Sequence, residues 1–472
     1  MGEQAYFPTR QVQGGDYLVH PQVTDYVRRV NGRLTAVAHR DLPFEIVVLN
    51  SSVPNAWAMP GGKMAINRGL LVQLQSEAEL AAVLGHEIVH SAARHSAQAQ
   101  ERGMLLQGGL MAAQIAGAGS DYRDLIAGGA MLGAQLISTR YGREAELESD
   151  RYGMEYMVAA GYNPAAAIDL QNTFVELSQG RPSSWVDGLF ASHPPSEERV
   201  ARNRETAARL GGTNLEYGRE RYRKAIAPLL QDQPAYDAHD AALKAAQGND
   251  FQQANALIDK AIRLQPAEAK FYGFKGDLAL AGKQYAQASR WYDKAIDRYP
   301  QYFVFHLQQG LAKKESGDAA GARRALERSN QLVPTPIAQK LLGDLAILAG
   351  DETTAVQYYQ AASTSRSETG EAARVALASI ELEENPAKYV KSQLMLDKQG
   401  RVVVAIQNQA PVAVQAVEVL VVPVDPAGRQ SGAGQRYPLR QTLAPGAQTR
   451  VVTSLPAQAR LRAVVSRAQL VR

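Results

Sequence analysis

Apolar positions recur at helical spacing through Pro21–Ala38, give way to strand-like runs at Phe44–Leu49 and Pro54–Met59 with another before Arg68, and return to helical spacing from Leu80. Ser76 precedes that last run and predicts a capped helix start. Helices dominate from there. From about Tyr236 the pattern becomes a repeat: Gly248, Gly282, Gly317 and Gly350 are spaced by 34, 35 and 33, Ala254, Ala288 and Ala322 by 34, and Pro266, Pro300 and Pro334 by 34. This is tetratricopeptide periodicity, and it predicts about four helix pairs up to Glu384. The small residues are expected to let paired helices approach closely, with proline ending the second helix of each pair. After Lys388 alternation replaces helical spacing, in Arg401–Ile406, Val417–Val424, Thr449–Leu455 and Arg460–Val465. Turn groups Asp425-Pro426-Ala427-Gly428 and Ala444-Pro445-Gly446 separate these runs and predict a small β-sandwich of about six strands. The expected architecture is multidomain α+β: a first domain over 1–215, an α-solenoid of tetratricopeptide repeats over 233–385, and a β-module over 386–472. A stacked repeat array offers a concave surface, so a protein partner is expected on it.

Composition narrows this picture in three ways. With 472 residues, 45% hydrophobic and 21% charged, the chain has material for several cores. The absence of cysteine excludes disulfides and thiolate metal ligands, so any metal must be held by histidine and carboxylate. No charged and apolar leader follows Met1, so an export signal is expected to be absent or already removed.

The net charge of +4 is unevenly spread: after Pro386 twelve Lys/Arg face three Asp/Glu, a net of +9, which leaves −5 for the rest. That asymmetry suits peripheral contact with an anionic membrane surface, or simply arginines on solvated strands. Basic residues are not interleaved with aromatics, so no nucleic-acid partner is expected. The most apolar region, Gly103–Ile137, is broken by Gln107, Gln114, Asp121, Arg123 and Asp124, and reads as a helical hairpin with Gly129 and Gly133 for close packing.

The candidate chemistry lies at His86-Glu87-Ile88-Val89-His90, on the predicted helix. Residues four apart on a helix stand about 40° from each other, so two imidazoles can share one metal ion. The pattern reads as a zinc hydrolase in which Glu87 is the general base; the competing reading is two histidines on an amphipathic surface helix. Catalytic zinc takes three protein ligands and keeps a position for water, so a third ligand is required. In the segment Arg143–Met157, positions 144, 148, 151 and 155 form a charged stripe, whereas 146, 150, 153 and 157 combine Glu146 and Asp150 with Gly153 and Met157. A carboxylate on that second stripe needs a partner, which singles out Glu146 as third ligand ahead of Glu144 and Glu148. Asp150, one turn on, is then placed to orient a ligand histidine. His95 is excluded, being nine residues after His86 where the longer motif needs ten.

Four separated motifs carry a resemblance to a known family. They are Asn55-Ala56-Trp57-Ala58-Met59-Pro60-Gly61-Gly62, the histidine helix with Arg94-His95 after it, Glu146-x-x-x-Asp150-Arg151-x-Gly153, and Ser192-His193-Pro194-Pro195 with Arg199. The chain resembles the zinc metallopeptidases related to the CAAX prenyl protease and HtpX, and within them the periplasmic BepA-like branch with tetratricopeptide repeats. The resemblance implies a zincin-like (gluzincin) domain, one zinc per chain, and endopeptidase action on protein or peptide substrates in envelope quality control. It places the chain in the periplasm or at the outer-membrane periphery of a Gram-negative bacterium. It implies that Asn55, Ala56, Trp57 and Ala58 form an edge strand for an extended peptide, in keeping with the free backbone groups of such an edge. It implies further that His193 can occupy the open zinc position and that Arg199 stabilises a developing oxyanion. From residues alone, His193-Pro194-Pro195 reads as a structural loop. A chaperone or adaptor working through its repeats over a latent zinc site is the alternative function; an aminopeptidase lacks an acidic anchor for a substrate amine.

Overall fold

Every residue of the helix that starts at Ser76 is buried, which explains why its polar positions needed partners. The computed structural model describes residues 2–93, 142–178, 193–456 and 460–471; the hairpin expected over Gly103–Ile137, together with Arg94, His95 and Ser192, lies outside them. Compact packing divides the chain into Met1–Pro334 and Thr335–Arg472.

In the first unit, α1 (Gly2–Val12) and α2 (Pro21–Thr35) precede β1 (Glu45–Leu49), β2 (Ala56–Met59) and β3 (Lys63–Asn67). The sheet order is β1-β3-β2, with β1 parallel and β2 antiparallel to β3, so β2 stands at an edge among the described residues. The apolar spacing does not announce α1, which carries Pro8. It is fixed by Tyr6, whose hydroxyl donates to the Met64 carbonyl at 2.7 Å and whose ring meets Trp57 edge-on.

Next come α3 (Arg68–Leu71), α4 (Glu77–Ala92), α5 (Arg143–Ala159), α6 (Ala165–Ser178) and α7 (Glu197–Leu210). Ser76 caps α4 by accepting from the Glu79 amide at 3.1 Å, while Glu79 accepts in return from the Gln75 amide at 2.7 Å. Glu77, in the first turn, is buried but accepts from Tyr26, Tyr162 and both Nε and Nη2 of Arg221, so its charge is met. The two charge stripes expected on α5 separate as read: Glu146, Asp150, Gly153 and Met157 are buried, and Glu144, Glu148 and Arg151 are exposed.

The repeats begin with a long helix, α8 (Arg219–Gln247), and continue as α9 (Phe251–Leu264), α10 (Ala269–Ala281), α11 (Tyr285–Arg298), α12 (Phe303–Glu315) and α13 (Ala319–Leu332). Asp250 and Asp318 cap α9 and α13 by accepting from the amides of Gln253 and Gly321. Pro266, Pro300 and Pro334 follow the ends of α9, α11 and α13, as the repeat spacing predicts. The periodic glycines play a different part from the close approach expected of them. Gly248 and Gly282 end helices just before left-handed Asn249 and Lys283, and Gly317 and Gly350 take the left-handed conformation themselves, at φ 85° and 76°. Close approach falls instead to Gly276 and Gly310, where an added Cβ would stand 2.6 Å from the Tyr292 ring and the Leu326 side chain.

These repeats are packed on the first helices and sheet through buried polar contacts. Glu268, 2% exposed, accepts twice from Asn50 Nδ2 at 2.9 Å and once from the Tyr236 hydroxyl at 2.8 Å. Arg68 donates to Asn50 Oδ1 at 2.9 Å and lies 3.4 Å above the Tyr236 ring. The Tyr299 hydroxyl accepts from Gln11 and from the Asp16 amide.

The second unit carries α14 (Pro336–Leu348), α15 (Glu352–Ser363), α16 (Glu368–Glu381) and α17 (Pro386–Tyr389) before six strands. These are β4 (Val390–Leu396), β5 (Val402–Asn408), β6 (Val414–Pro423), β7 (Gln435–Pro438), β8 (Gln448–Val452) and β9 (Leu461–Leu470). They form two antiparallel three-stranded sheets, β4-β5-β8 and β7-β6-β9, whose apolar faces contribute Val404, Ile406, Val419, Val421 and Val465 to one core. Among the described residues no helix is long and apolar enough to cross a membrane.

Candidate metal centre

Helix α4 presents His86 and His90 one turn apart, with Nε2 atoms 3.0 Å from each other. Helix α5 crosses α4 at Gly85 and Gly153, where neither backbone has room for a side chain, and this close crossing brings Glu146 and Asp150 to the histidines. Glu146 Oε2 lies 3.5 Å from His86 Nε2 and Oε1 lies 3.3 Å from His90 Nε2. His193, ahead of α7, completes a group of four: its Nδ1 is 3.2 Å from His86 Nε2 and 3.0 Å from Glu146 Oε1. All four side chains are buried, and their ligand atoms lie within 4.8 Å of one another.

These donors fit a small divalent cation. Metal bonds of the length that zinc makes to nitrogen and oxygen put the corners of a tetrahedron about 3.3–3.5 Å apart. Five of the six separations among these four residues, 3.0–3.5 Å, are near that size. Three imidazoles and one carboxylate are also the donor types that such an ion takes in a protein without cysteine.

The surroundings fix the orientation of the group. His86 Nδ1 lies 2.9 Å from Asp150 Oδ1, which turns Nε2 toward the other donors. Arg199 donates from Nε and Nη2 to Asp150, both at 2.7 Å, while its Nη1 lies 3.0 Å from Glu146 and donates to the Pro194 carbonyl at 3.3 Å. Glu87 sits beside the cluster at 2% exposure, with Oε1 3.4 Å from His193 Nε2 and Oε2 without a hydrogen-bond partner among the described residues. A buried carboxylate oxygen left free is costly in an apolar site.

Charges follow this layout. Burial opposes the charge of His86, but the Glu146 and Asp150 carboxylates outweigh it and push its pKa up to about 10. Burial pushes His90 well below the usual histidine range. Burial also opposes ionisation of Glu146 and Asp150, yet His193 and His86 hold the first well below the usual carboxylate range, as Arg199 and His86 hold the second. Glu87 moves the other way: burial pushes it up against the pull of His193.

The segment Asn55–Ala58 leads into and forms most of the edge strand β2, with the Trp57 side chain turned into the core. That side chain is 1% exposed and donates from Nε1 to Gln13 Oε1 at 2.6 Å, so it belongs to the core beneath α1 and cannot touch a substrate. Ala56 and Ala58 are buried as well, which leaves the backbone of β2 as what this segment has to offer. Asn55 accepts from the Asn67 amide through its carbonyl, and Asn67 is the last residue of β3.

Residues 20–207 match the model of peptidase family M48. This segment is an M48 peptidase domain. Residues 239–303 and 307–368 match the tetratricopeptide repeat model. The chain is similar to the beta-barrel assembly-enhancing protease of Escherichia coli strain K12, 27% identical over 306 residues, covering 57% of this chain and 61% of the relative. It is similar to the mitochondrial metalloendopeptidase OMA1 of Schizosaccharomyces pombe, 34% identical over 211 residues, covering 43% and 59%. It is also similar to the metalloprotease LoiP of E. coli, 27% identical over 199 residues, covering 40% and 73%. The chain thus spans about three-fifths of the length of the first two relatives.

Proposed function

We propose that this M48 protein is a zinc-dependent endopeptidase acting on protein substrates in the cell envelope. The observation that carries the reading is the convergence of His86, His90, Glu146 and His193, with ligand atoms within 4.8 Å of one another, beside the unpartnered oxygen of Glu87. The names of the relatives, two metallopeptidases and a beta-barrel assembly-enhancing protease, support it.

His86, His90 and Glu146 would hold one zinc ion per chain, which when bound would supply Lewis acidity. Glu87 Oε2 accepts the proton of the attacking water and returns it to the leaving amine. Asp150 holds the His86 ring in the tautomer that points Nε2 at the metal. Arg199, read from sequence as an oxyanion donor, takes a positioning role instead, since its donors are directed to Asp150, Glu146 and Pro194. The edge of β2 receives an extended peptide through backbone groups. His193, set beside the other three donors, would keep the enzyme latent until substrate displaces it.

The repeats dock a protein partner or substrate. The M48 segment is zincin-like, the two C-terminal sheets stack as a β-sandwich, and the +9 charge of that module favours peripheral contact with an anionic membrane surface of the periplasm. A second reading, a chaperone or adaptor with a latent site, draws on the position of His193. The two part on one experiment. Glu87→Gln is expected to retain zinc, measured by elemental analysis, and to lose cleavage of unfolded casein; cleavage at the wild-type rate would overturn the endopeptidase mechanism.

A further inference from the structure

Beside the candidate metal centre the described residues line an open-mouthed cavity of about 40 Å³. Its walls are mixed: Val83 from α4, Met154 from α5 and Leu170 and Phe174 from α6 form the apolar part, and Asp150, His193 and Arg199 stand on the polar side. His86 and Glu87 border it, so whatever enters stands next to the reacting centre. Two amides also line it, Gln171 of α6 and Asn203 of α7, exposed by only 4% and 2%.

Gln171 Oε1 is buried and has no hydrogen-bond partner among the described residues. Such an atom lowers the stability of the fold, and leucine or methionine would fill the same helix position without that loss. A polar group kept at such a position in a cleft has the form of a recognition group awaiting its ligand. The ligand must be uncharged. Arg199 is already engaged with Asp150 and Glu146, so no free cation meets an acidic side chain, and Glu87 would repel one. A basic side chain would have to pair with Glu87 and remove it from its task.

We propose that this cavity is a substrate side-chain subsite in which Gln171 selects a small uncharged residue with a hydroxyl or amide tip, serine, threonine or asparagine, over an aliphatic one of equal size. The inference rests on the endopeptidase reading and adds its specificity. Gln171 acts by touching the substrate side chain and takes no part in the chemistry. A neutral hydrogen bond in a dry pocket corresponds to a preference of roughly three- to tenfold.

The test is the cleavage profile of a randomised peptide pool, read by mass spectrometry for the zinc-loaded wild type and for Gln171→Leu, with Gln171→Met as a variant of similar length should leucine fold poorly. Wild type is expected to enrich Ser, Thr and Asn about three- to tenfold at one position next to the cut, and both variants to shift that position to Val and Leu. Their thermal midpoints are expected to rise, because the orphaned amide is gone. Identical profiles overturn the subsite alone. A lower midpoint in both variants also overturns it, since the amide would then be serving a structural partner such as a buried water. A pool left uncut by wild type is the distinct failure of the endopeptidase reading, and the subsite falls with it.

Discussion

Gly153 lies against the backbone of His86: a Cβ placed on it would stand 3.0 Å from the His86 amide nitrogen and 3.3 Å from its Cα. The neighbour that would have to yield is helix backbone, which is far stiffer than a side-chain tip.

Gly153→Ala therefore sets two effects against each other. Alanine favours the helix by about 1 kcal/mol, and overpacking costs about 1–3 kcal/mol, so the net change in stability is small. The geometry absorbs the difference: α5 is pushed outward and carries Glu146 and Asp150 with it. Zinc affinity is expected to fall about tenfold, the size of effect seen when groups around metal ligands shift. Competition with a chromophoric chelator measures it, and an unchanged affinity would refute the role of this crossing.

His193→Ala opens the fourth corner. Basal cleavage of casein is expected to rise severalfold while zinc stays bound through His86, His90 and Glu146. A lower rate with zinc retained would show that His193 assists the reaction instead of blocking it.

Zinc binding should release a proton. The folded pKa of His86 is about 10, above the unfolded value near 6.5, so the ring is protonated in the metal-free protein at neutral pH. Its contribution to metal-free stability is complete below about pH 6.5 and is lost as pH rises through about 10. Zinc must displace that proton, so affinity rises with pH below about 10. Calorimetric titration at pH 7.5 in buffers of different ionisation enthalpy is expected to report about one proton per zinc. A value near zero would mean that His86 is already neutral.

Glu268→Ala tests the seam between the M48 domain and the repeats. The change leaves Asn50 Nδ2 and the Tyr236 hydroxyl buried without their acceptor and removes the side chain that receives the Lys270 amide. A loss of about 3 kcal/mol is expected by denaturant titration. A loss below about 1 kcal/mol would mean that water replaces the carboxylate.

Much of the metal centre was legible because its signals are local. His86 and His90 share a helix turn, Glu146 and Asp150 share a stripe whose other members are Gly153 and Met157, and Ser76 marks a cap three residues before Glu79. Each is a relation over a few residues that helical geometry fixes. His193 entered only through resemblance, since a His-Pro-Pro loop has no periodicity that would aim it at residues 47 and 107 positions away. The burial of the Trp57 side chain was not legible, because what covers it is α1 with Gln13, far away in sequence. The strand β7, Gln-Arg-Tyr-Pro, is short and largely exposed, so it lacks the alternation that marks β5 and β6. The seam at Asn50, Arg68, Tyr236 and Glu268 joins positions up to 218 apart, each an ordinary polar residue in its own neighbourhood.

That seam bears on how the array can evolve. Repeat proteins gain and lose units readily because each unit answers only to its neighbours. Tyr236 and Glu268 answer to Asn50 and Arg68 as well, so the first units are tied to this M48 segment, and exchange for a generic repeat is expected to require carrying those side chains along. Duplication or deletion of a unit is therefore expected to cost less farther along the array than at Tyr236 and Glu268.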